Sequence, residues 1–271
     1  MLGIFDSGLG GLTVLRRIRE RLPSEDLLYF ADQANVPYGD RDPDELVRLL
    51  SHNVAYLEAR GVDAIVMGCN TSCAIAASRG WPASTVPILD LIAAAADDVA
   101  ASGARRVGVV GTLATVRSGA YGVAIGRRDA SITVREVAAP ELVPLVESGL
   151  LDGPIVRRAV ADVCAQFSGP LDALILACTH YPLLDSHFAA ALGDVRRIDP
   201  AQAQSRRAAA LAAHTNTRGN GHTEYVTTGP LEPYRRAVRA LTPAANEDAL
   251  FVQAAPLQLQ SRDVVVTSQQ H

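Results

Sequence analysis

The chain contains no lysine, so all 25 of its lysine-plus-arginine residues are arginine. This absence excludes the lysine of a phosphate-binding P-loop and every catalytic lysine Schiff base, and with the latter a pyridoxal-phosphate enzyme. Basic residues are also outnumbered, because the formal net charge is −4. A nucleic-acid-binding protein needs clustered basic side chains to contact phosphates, so that class is not expected.

Long uninterrupted apolar runs are missing as well. The longest, at residues 87–96, contains Asp90 and is followed by Asp97 and Asp98, so it is too short and too polar for a membrane span. The N-terminus lacks the charged segment and the apolar core of a signal peptide. We therefore expect a cytoplasmic protein without a membrane partner.

Cysteine is scarce, with four residues at positions 69, 73, 164 and 178. Four cysteines could form two disulfides, but a secreted disulfide scaffold of this length would carry many more. Cys69 and Cys73 form a C-x3-C pair with no second pair near it and no histidine at a zinc-finger spacing. We therefore expect reduced thiols and no metal site.

What the sequence does contain is the alternation of an α/β protein. A hydrophobic content of 48% in 271 residues is enough for a sizeable core in one large domain or two smaller ones. Short β-branched runs alternate with helical patterns, which is typical of parallel sheets flanked by helices. The predicted strands are Leu2–Phe5, Leu27–Ala31, Ala64–Met67, Val107–Val110, Ile132–Val137, Ala173–Ala177 and Tyr225–Thr227.

One helix can be placed from its cap. Asp42 is a predicted N-cap, Pro43 fits the first helical position, and Glu45 stands three residues after the cap. An apolar face comes next, and Gly61 is predicted to end the helix.

An internal repeat indicates two similar lobes. Residues 62–71 read VDAIVMGCNT and residues 171–180 read LDALILACTH. Asp63 and Asp172 are 109 positions apart, as are Cys69 and Cys178. Each lobe therefore offers one cysteine at the carboxyl end of a buried strand, which is where open parallel sheets bind ligands.

These two cysteines have the surroundings of reactive thiols. A cysteine between a strand and the next helix lies near unpaired N–H groups, which stabilise a thiolate and can also hold a carboxylate. Two thiols that face each other across a cleft suit the removal of a proton from one face of a carbon and its return to the other. The alternative is that a free cysteine is only a small buried apolar residue, which we expect for Cys73 and Cys164.

Several motifs resemble those of the glutamate racemase family, over about residues 2–230. They are FDSGLGGLTVL (5–15), NVPYGDR (35–41), GCNTSCA (68–74), VVGTLATVRSGAY (109–121), ACTHYPLL (177–184) and TTG (227–229). The resemblance implies a cofactor-independent racemase that supplies D-glutamate for peptidoglycan, has its active site between two α/β lobes, and forms a homodimer.

The resemblance also assigns site residues. Cys69 and Cys178 are implied as the two catalytic acid–base residues. The residues implied to contact the amino acid are Asp6, Ser7, Tyr38, Gly39, Asn70, Thr71, Thr179 and His180. Possible supporting residues are Glu147, Thr112 and Thr115, with Ser118 and Tyr121 on the same second-lobe loop as the two threonines.

The residues leave alternatives open at three of these positions. Asp6 pairs with the substrate ammonium, or it only caps the next helix. Tyr38 presents its hydroxyl to the side-chain carboxylate of the substrate, or it is an ordinary loop tyrosine. Glu147 orients His180, or it is a surface carboxylate at a helix end.

For the lobes, we predict that residues 1–92 and 207–258 form the first, residues 93–206 form the second, and residues 259–271 form a polar tail. Two other functions stay open, namely a related racemase acting on aspartate or hydantoins, and a binding or regulatory protein on the same fold. A dinucleotide-binding enzyme is not expected, because Gly8-x-Gly10-x-x-Thr13 lacks the third glycine of the fingerprint.

Overall fold

A computed structural model describes residues 1–215, 219–242 and 249–257. All seven predicted strands form, with ends shifted by at most two residues. The strands are β1 (Leu2–Asp6), β2 (Leu27–Ala31), β3 (Ala64–Met67), β4 (Ile88–Leu89), β5 (Arg106–Gly111), β6 (Thr133–Ala138), β7 (Ala173–Ala177), β8 (Arg196–Ile198), β9 (Thr223–Thr227) and β10 (Leu250–Gln253).

The strands form two separate parallel sheets. The first sheet has the order β10-β9-β2-β1-β3-β4, and the second has the order β6-β5-β7-β8. In the first sheet Phe5 of β1 pairs with Phe30 on one side and Met67 on the other. In the second sheet Val110 of β5 pairs with Leu176. The prediction of a two-lobed α/β fold with parallel sheets is therefore confirmed.

Three strands that the sequence does not predict all lie at a sheet edge. β4 has two residues and ends the first sheet, β10 ends it on the other side, and β8 ends the second sheet. An edge strand is covered on fewer sides, so it can be short or polar. β8 carries Arg196 and Arg197 in three residues, which gives no apolar periodicity to detect.

Helices connect the strands and cover both sheets. They are α1 (Leu12–Arg21), α2 (Pro43–Ala59), α3 (Asn70–Arg79), α4 (Leu91–Ser102), α5 (Leu113–Ser118), α6 (Ala120–Gly126), α7 (Leu142–Glu147), α8 (Pro154–Cys164), α9 (Asp185–Leu192), α10 (Pro200–Thr215) and α11 (Leu231–Leu241), with short 3₁₀ helices at Gln33–Asn35 and Tyr181–Leu184. No helix in the described ranges is both long and apolar enough to cross a bilayer.

The predicted cap of α2 forms as expected. The Asp42 carboxylate accepts hydrogen bonds from the backbone N–H groups of Asp44 and Glu45, at 2.9 and 3.3 Å. Pro43 occupies the first turn, and Gly61, with φ of +72°, lies just beyond the helix. The side chain of Glu45 itself pairs with Arg41.

The two lobes share part of their core. One cluster of buried apolar residues runs from Phe5 and Met67 of the first sheet through Ile92 of α4 to Val109 and Ile175 of the second sheet. The predicted lobe boundaries, 92/93 and 206/207, fall inside α4 and α10, which pack against each other. The division at these positions stays a prediction. The predicted tail at 259–271 lies outside the described residues.

Candidate active site

A cleft lies at the carboxyl ends of the strands of both sheets. It contains about 610 Å³ of space free of protein atoms, including the solvent at its open mouth. Its lining residues are Ser7, Val36, Pro37, Tyr38, Gly39, Asp40, Cys69, Asn70, Thr71, Thr112, Leu113, Pro140, Val143, Pro144, Cys178, Thr179 and His180. Both cysteines of the internal repeat therefore lie in one cleft, although they come after strands of different sheets.

Cys69 is the N-cap residue of α3. Its Sγ accepts a hydrogen bond from the backbone N–H of Ser72, at 3.4 Å, and the thiol donates to the hydroxyl oxygen of Ser7, at 3.7 Å. Burial raises the pKa of Cys69 to about 11, the charge of Asp6 adds to this shift, and the hydrogen bonds only partly oppose it. In the ligand-free protein Cys69 is therefore a protonated thiol at neutral pH.

Cys178 has an imidazole neighbour instead. Its Sγ lies 3.6 Å from Nδ1 of His180, and Nε2 of the same ring lies 2.5 Å from Oε1 of Glu147. Burial alone lowers the pKa of His180, but the hydrogen bonds to Cys178 and Glu147 outweigh it and raise that pKa to about 10. At neutral pH a positive imidazolium therefore lies beside the Cys178 sulfur and stabilises negative charge there.

Asp6 lies behind the cleft wall, and it is not among the lining residues. Its Oδ2 accepts hydrogen bonds from the backbone N–H groups of Gly8 and Gly11, at 3.1 and 2.9 Å, and Thr179 Oγ1 lies 3.4 Å from Oδ1. Gly11 is the N-cap residue of α1, so the carboxylate holds the loop that leads into this helix. No side chain in the described part of the chain caps α1 itself, and contact between Asp6 and a substrate stays a prediction.

The Tyr38 hydroxyl is hydrogen-bonded to other side chains of the protein. Tyr38 lines the cleft, but its hydroxyl donates to Asp32 and accepts a hydrogen bond from the side-chain amide of Asn53, at 3.0 Å. Asp32 is a buried carboxylate that also accepts from Asn35 and Thr228, and each donor offsets the cost of burying its charge. The hydroxyl is therefore engaged by Asp32 and Asn53, and its contact with a substrate stays a prediction.

Asp32 supports the site, although it is not among the predicted site residues. It comes directly after β2, as Asp6 ends β1, so a carboxylate at the carboxyl end of a buried strand was a signal available in the sequence. Its hydrogen bonds hold Tyr38 and, through it, the 36–40 segment of the cleft wall. The wall therefore depends on a buried carboxylate that does not itself line the cleft.

Hydrogen bonds between the lobes also order the cleft. Thr71 of α3 lies 2.9 Å from Thr112 of the second lobe, oxygen to oxygen, and Thr112 in turn lies 3.0 Å from Thr115. The Tyr121 hydroxyl donates to Oδ1 of Asn70 at 2.5 Å. Thr112 therefore lines the cleft, whereas Thr115 and Tyr121 lie behind it and position Thr112 and Asn70.

Two backbone groups take part in the same contact between the lobes. The hydroxyl of Thr13 donates to the carbonyl oxygen of Thr179, at 3.2 Å, and the N–H of Ala114 donates to the carbonyl oxygen of Gly39, at 3.1 Å. Ser118, by contrast, donates to the carbonyl of Thr115 within α5. Hydrogen bonds on both sides of the cleft thus join the two lobes.

The other two cysteines fit the apolar alternative. Cys73 lies inside α3 and Cys164 ends α8, and both are buried and free. Burial raises the pKa of Cys73 well above its usual range and that of Cys164 to about 11. Neither lines the cleft. Within the described ranges no three His, Cys, Asp or Glu side chains form a group that could hold a metal ion.

Comparison with known proteins matches this architecture. A family model described as Asp/Glu/Hydantoin racemase matches residues 9–208. The glutamate racemase of Aquifex pyrophilus is 42% identical to this chain over 221 residues, which cover 81% of this chain and 84% of that protein.

Solved structures agree. The glutamate racemase of Francisella tularensis, in complex with D-glutamate, is 30% identical with a TM-score of 0.85, covering 93% of this chain and 97% of that one. The glutamate racemase of Thermus thermophilus, in complex with β-chloro-D-alanine, is 36% identical with a TM-score of 0.82, covering 94% and 96%. The chain therefore belongs to the Asp/Glu/hydantoin racemase family of isomerases.

Proposed function

We propose that this isomerase is a glutamate racemase that interconverts L- and D-glutamate without a cofactor. One cysteine takes the α-proton as a thiolate, and the other returns a proton to the opposite face of the planar carbanion as a thiol. The observation that carries this proposal is that Cys69 and Cys178, one from each lobe, line a single cleft. The names of the related proteins support glutamate as the substrate.

The two thiols have surroundings that suit opposite roles at the start of a turnover. Cys69 is buried near the carboxylate of Asp6, which disfavours its thiolate. Cys178 lies beside the imidazolium of His180, which favours negative charge on the sulfur. A proton acceptor and a proton donor are therefore available on the two sides of one carbon, as general acid–base racemisation requires. After each turnover the two cysteines have exchanged their protonation states.

The substrate carboxylates would be held without any arginine. Among the described lining residues the only side chain that carries positive charge is His180, so recognition of a dicarboxylate falls to N–H groups and hydroxyls. The N-terminus of α3 offers N–H groups and a favourable dipole next to Asn70 and Thr71. Ser7 and Thr179 add hydroxyls, and Gly39 lines the same wall.

The same groups would stabilise the transition state. Removal of the α-proton places negative charge on the α-carbon and the attached carboxylate, and pre-oriented N–H and hydroxyl donors stabilise this charge most in a site that excludes water. The cleft provides those donors, and the contact between Thr71 and Thr112 bridges the lobes beside them. Asp6 lies close behind Cys69, and the resemblance implies that it contacts the amino acid.

The physiological part of the proposal comes from the same family. We propose that the reaction supplies D-glutamate for peptidoglycan and so supports cell-wall biogenesis and cell shape. We propose a cytoplasmic location, where thiols stay reduced, and a homodimer as the assembled form.

The test is incubation of the full chain with D- or L-glutamate in heavy water, without added cofactor and with L-aspartate in parallel. We expect the α-proton NMR signal of glutamate to disappear while the optical rotation decays to zero. L-Aspartate should react far more slowly. An unchanged glutamate spectrum would refute the proposal, and faster reaction with aspartate would replace its substrate.

A further inference from the structure

Gly10 stands at a very tight approach between the two lobes. A Cβ atom added to it would clash with Oγ1 of Thr179 and would lie only 2.6 Å from Nδ1 and 2.8 Å from Cε1 of His180. Its φ is outside the left-handed region, so an alanine is compatible with the backbone at this position. Glycine is therefore required at this position because the second lobe leaves no room for a Cβ atom.

The side chains that would be displaced are already held from the other side. The Thr179 hydroxyl donates to Asp6, and the imidazole of His180 lies between Cys178 and Glu147. Both side chains are buried, at 7% and 5% exposure, so neither can turn into solvent to make room for an added methyl group. An added Cβ must therefore move the 178–180 segment away from the first lobe or rotate the imidazole out of line.

Two more glycines of the first lobe face the second lobe in the same way, but with more space. A Cβ on Gly8 would lie 3.3 Å from Oε1 of Glu147, and a Cβ on Gly39 would lie 3.0 Å from Cβ of Thr112. Gly126 of α6, in contrast, has nothing within 4 Å of an added Cβ. The chain thus contains its own series of glycines, ordered by how closely another side chain approaches.

We infer that Gly10 is a positioning residue for the second-lobe acid–base pair: the missing side chain lets the closed cleft seat His180 against Cys178. The inference rests on the proposed two-thiol racemisation. Cys69 is supported by Ser7 and Ser72, both within the first lobe, so its surroundings do not depend on this seat. Substitution of Gly10 therefore impairs proton transfer at Cys178 much more than at Cys69.

This asymmetry has a chemical signature in heavy water. With Cys178 out of position, Cys69 still removes the α-proton from the enantiomer that it faces. The sulfur then exchanges that proton for a solvent deuteron and returns the deuteron to the same face, so the S–H bond and the C–H bond are each replaced by a bond to deuterium. The enantiomer that faces Cys69 therefore gains α-deuterium without inversion. The other enantiomer neither gains deuterium nor inverts at an appreciable rate.

The experiment compares the full-length chain with Gly10→Ala, Gly8→Ala and Gly126→Ala variants. Each enantiomer of glutamate is incubated in heavy water, and deuterium content is measured by mass spectrometry after chromatographic separation of the enantiomers. We expect Gly10→Ala to lower kcat/KM for racemisation by about 100-fold, the scale for a misplacement of about 1 Å. Gly8→Ala should cost about fivefold or less, because its new contacts are only slightly tight, and Gly126→Ala should be unchanged.

A second comparison separates positioning from general damage. Gly10→Ala and Cys178→Ser should incorporate deuterium, without inversion, into the same enantiomer of glutamate. Cys69→Ser should incorporate deuterium into the opposite enantiomer. Circular dichroism and thermal unfolding check that the variant is folded.

Three outcomes would overturn the inference. If the wild type racemises glutamate and the Gly10→Ala variant is equally active, the inference is refuted while the proposed function stands. Equal loss of exchange for both enantiomers in a folded Gly10→Ala variant indicates a structural role only and also refutes it. A wild-type protein that changes neither enantiomer refutes the proposed function and this inference with it.

Discussion

The two cysteines of the internal repeat lead into different structures and have different neighbours. Cys69 caps α3, a helix of ten residues, and its sulfur contacts a backbone N–H and a serine hydroxyl. Cys178 leads into a 3₁₀ turn of four residues, and its sulfur contacts an imidazole held by Glu147. The repeat therefore preserves the position of the thiol at the end of a strand, while the neighbouring side chains have diverged.

The different neighbours of Cys69 and Cys178 suit the proposed racemisation. Two thiols in identical surroundings would carry the same charge, whereas racemisation needs one proton acceptor and one proton donor at a time. Burial and the charge of Asp6 raise the pKa of Cys69, whereas the sulfur of Cys178 lies beside the imidazolium of His180. In the proposed mechanism the equivalent positions place one thiol on each side of the substrate, and the unequal neighbours give each thiol its own supporting group.

The largest expected effect comes from removing either sulfur. Cys69→Ser and Cys178→Ser should each lower racemisation by about 10³-fold or more, because a serine hydroxyl is a far weaker acid than a thiol. The two variants should retain α-deuterium exchange with opposite enantiomers, measured by mass spectrometry in heavy water. Cys164→Ala is the matched control, since this thiol lies outside the cleft. Full activity in either serine variant would contradict the assignment.

A smaller effect is expected when only the neighbours of Cys178 change. Glu147→Gln removes the anion that helps to keep His180 charged, so kcat should fall by about 10-fold to 100-fold, with a smaller change in KM. The pH profile of kcat should shift as the pKa of His180 moves down from about 10. Glu141→Gln makes the same change from a carboxylate to an amide at an exposed residue, so it is the control. Equal profiles for the two variants would show that Glu147 does not act through His180.

The 36–40 segment of the cleft wall gives a third comparison. Tyr38→Phe removes one donor from the buried carboxylate of Asp32, so we expect a loss of about 1–2 kcal/mol in the free energy of unfolding. KM should rise a few-fold while kcat changes less, because the hydroxyl supports the wall and does not touch the reacting carbon. Tyr56→Phe is the control, because the Tyr56 hydroxyl contacts Arg60 and not Asp32. A large loss of kcat with unchanged stability would restore the hydroxyl as a direct substrate contact.

The smallest effect is a dependence of stability on pH. The pKa of His180 is about 10 in the folded protein and about 6.5 in an unfolded chain. Its charge therefore stabilises the fold fully below about pH 6.5, and this contribution is lost as the pH rises through the folded value.

Between pH 6.5 and 8 the free energy of unfolding should fall by about 1.5 kcal/mol more in the wild type than in His180→Gln. Urea unfolding at the two pH values measures this difference, and the subtraction removes the contribution of groups that both proteins share. Parallel pH curves for the two proteins would mean that His180 is not held charged in the fold.

The strands and the cysteines could be predicted from sequence because their signals are local. Apolar runs such as Ala64–Met67 and Ala173–Ala177 mark buried parallel strands, and the cysteines come soon after them. The edge strands β4, β8 and β10 gave no such signal. The direction of the Tyr38 hydroxyl could not be predicted, since it depends on Asp32 and Asn53, which meet only after the sheet and α2 have packed together.

Contacts between the lobes could not be predicted from local sequence patterns for the same reason. The hydrogen bond from Tyr121 to Asn70 and the contact between Thr71 and Thr112 join segments 51 and 41 residues apart. They result from the way in which the shared core fixes one sheet against the other. The motifs identified the residues at the cleft, and the packing of the lobes determined which of them support others and which line the wall.

The most direct test of the two-thiol site is a crystal structure of the chain with D-glutamate bound in the cleft. We expect the α-carbon to lie between the sulfurs of Cys69 and Cys178, with each sulfur about 3.5 Å away and on opposite faces. A bound glutamate whose α-carbon is approached by only one sulfur, or by neither, would contradict a racemisation carried out by this pair.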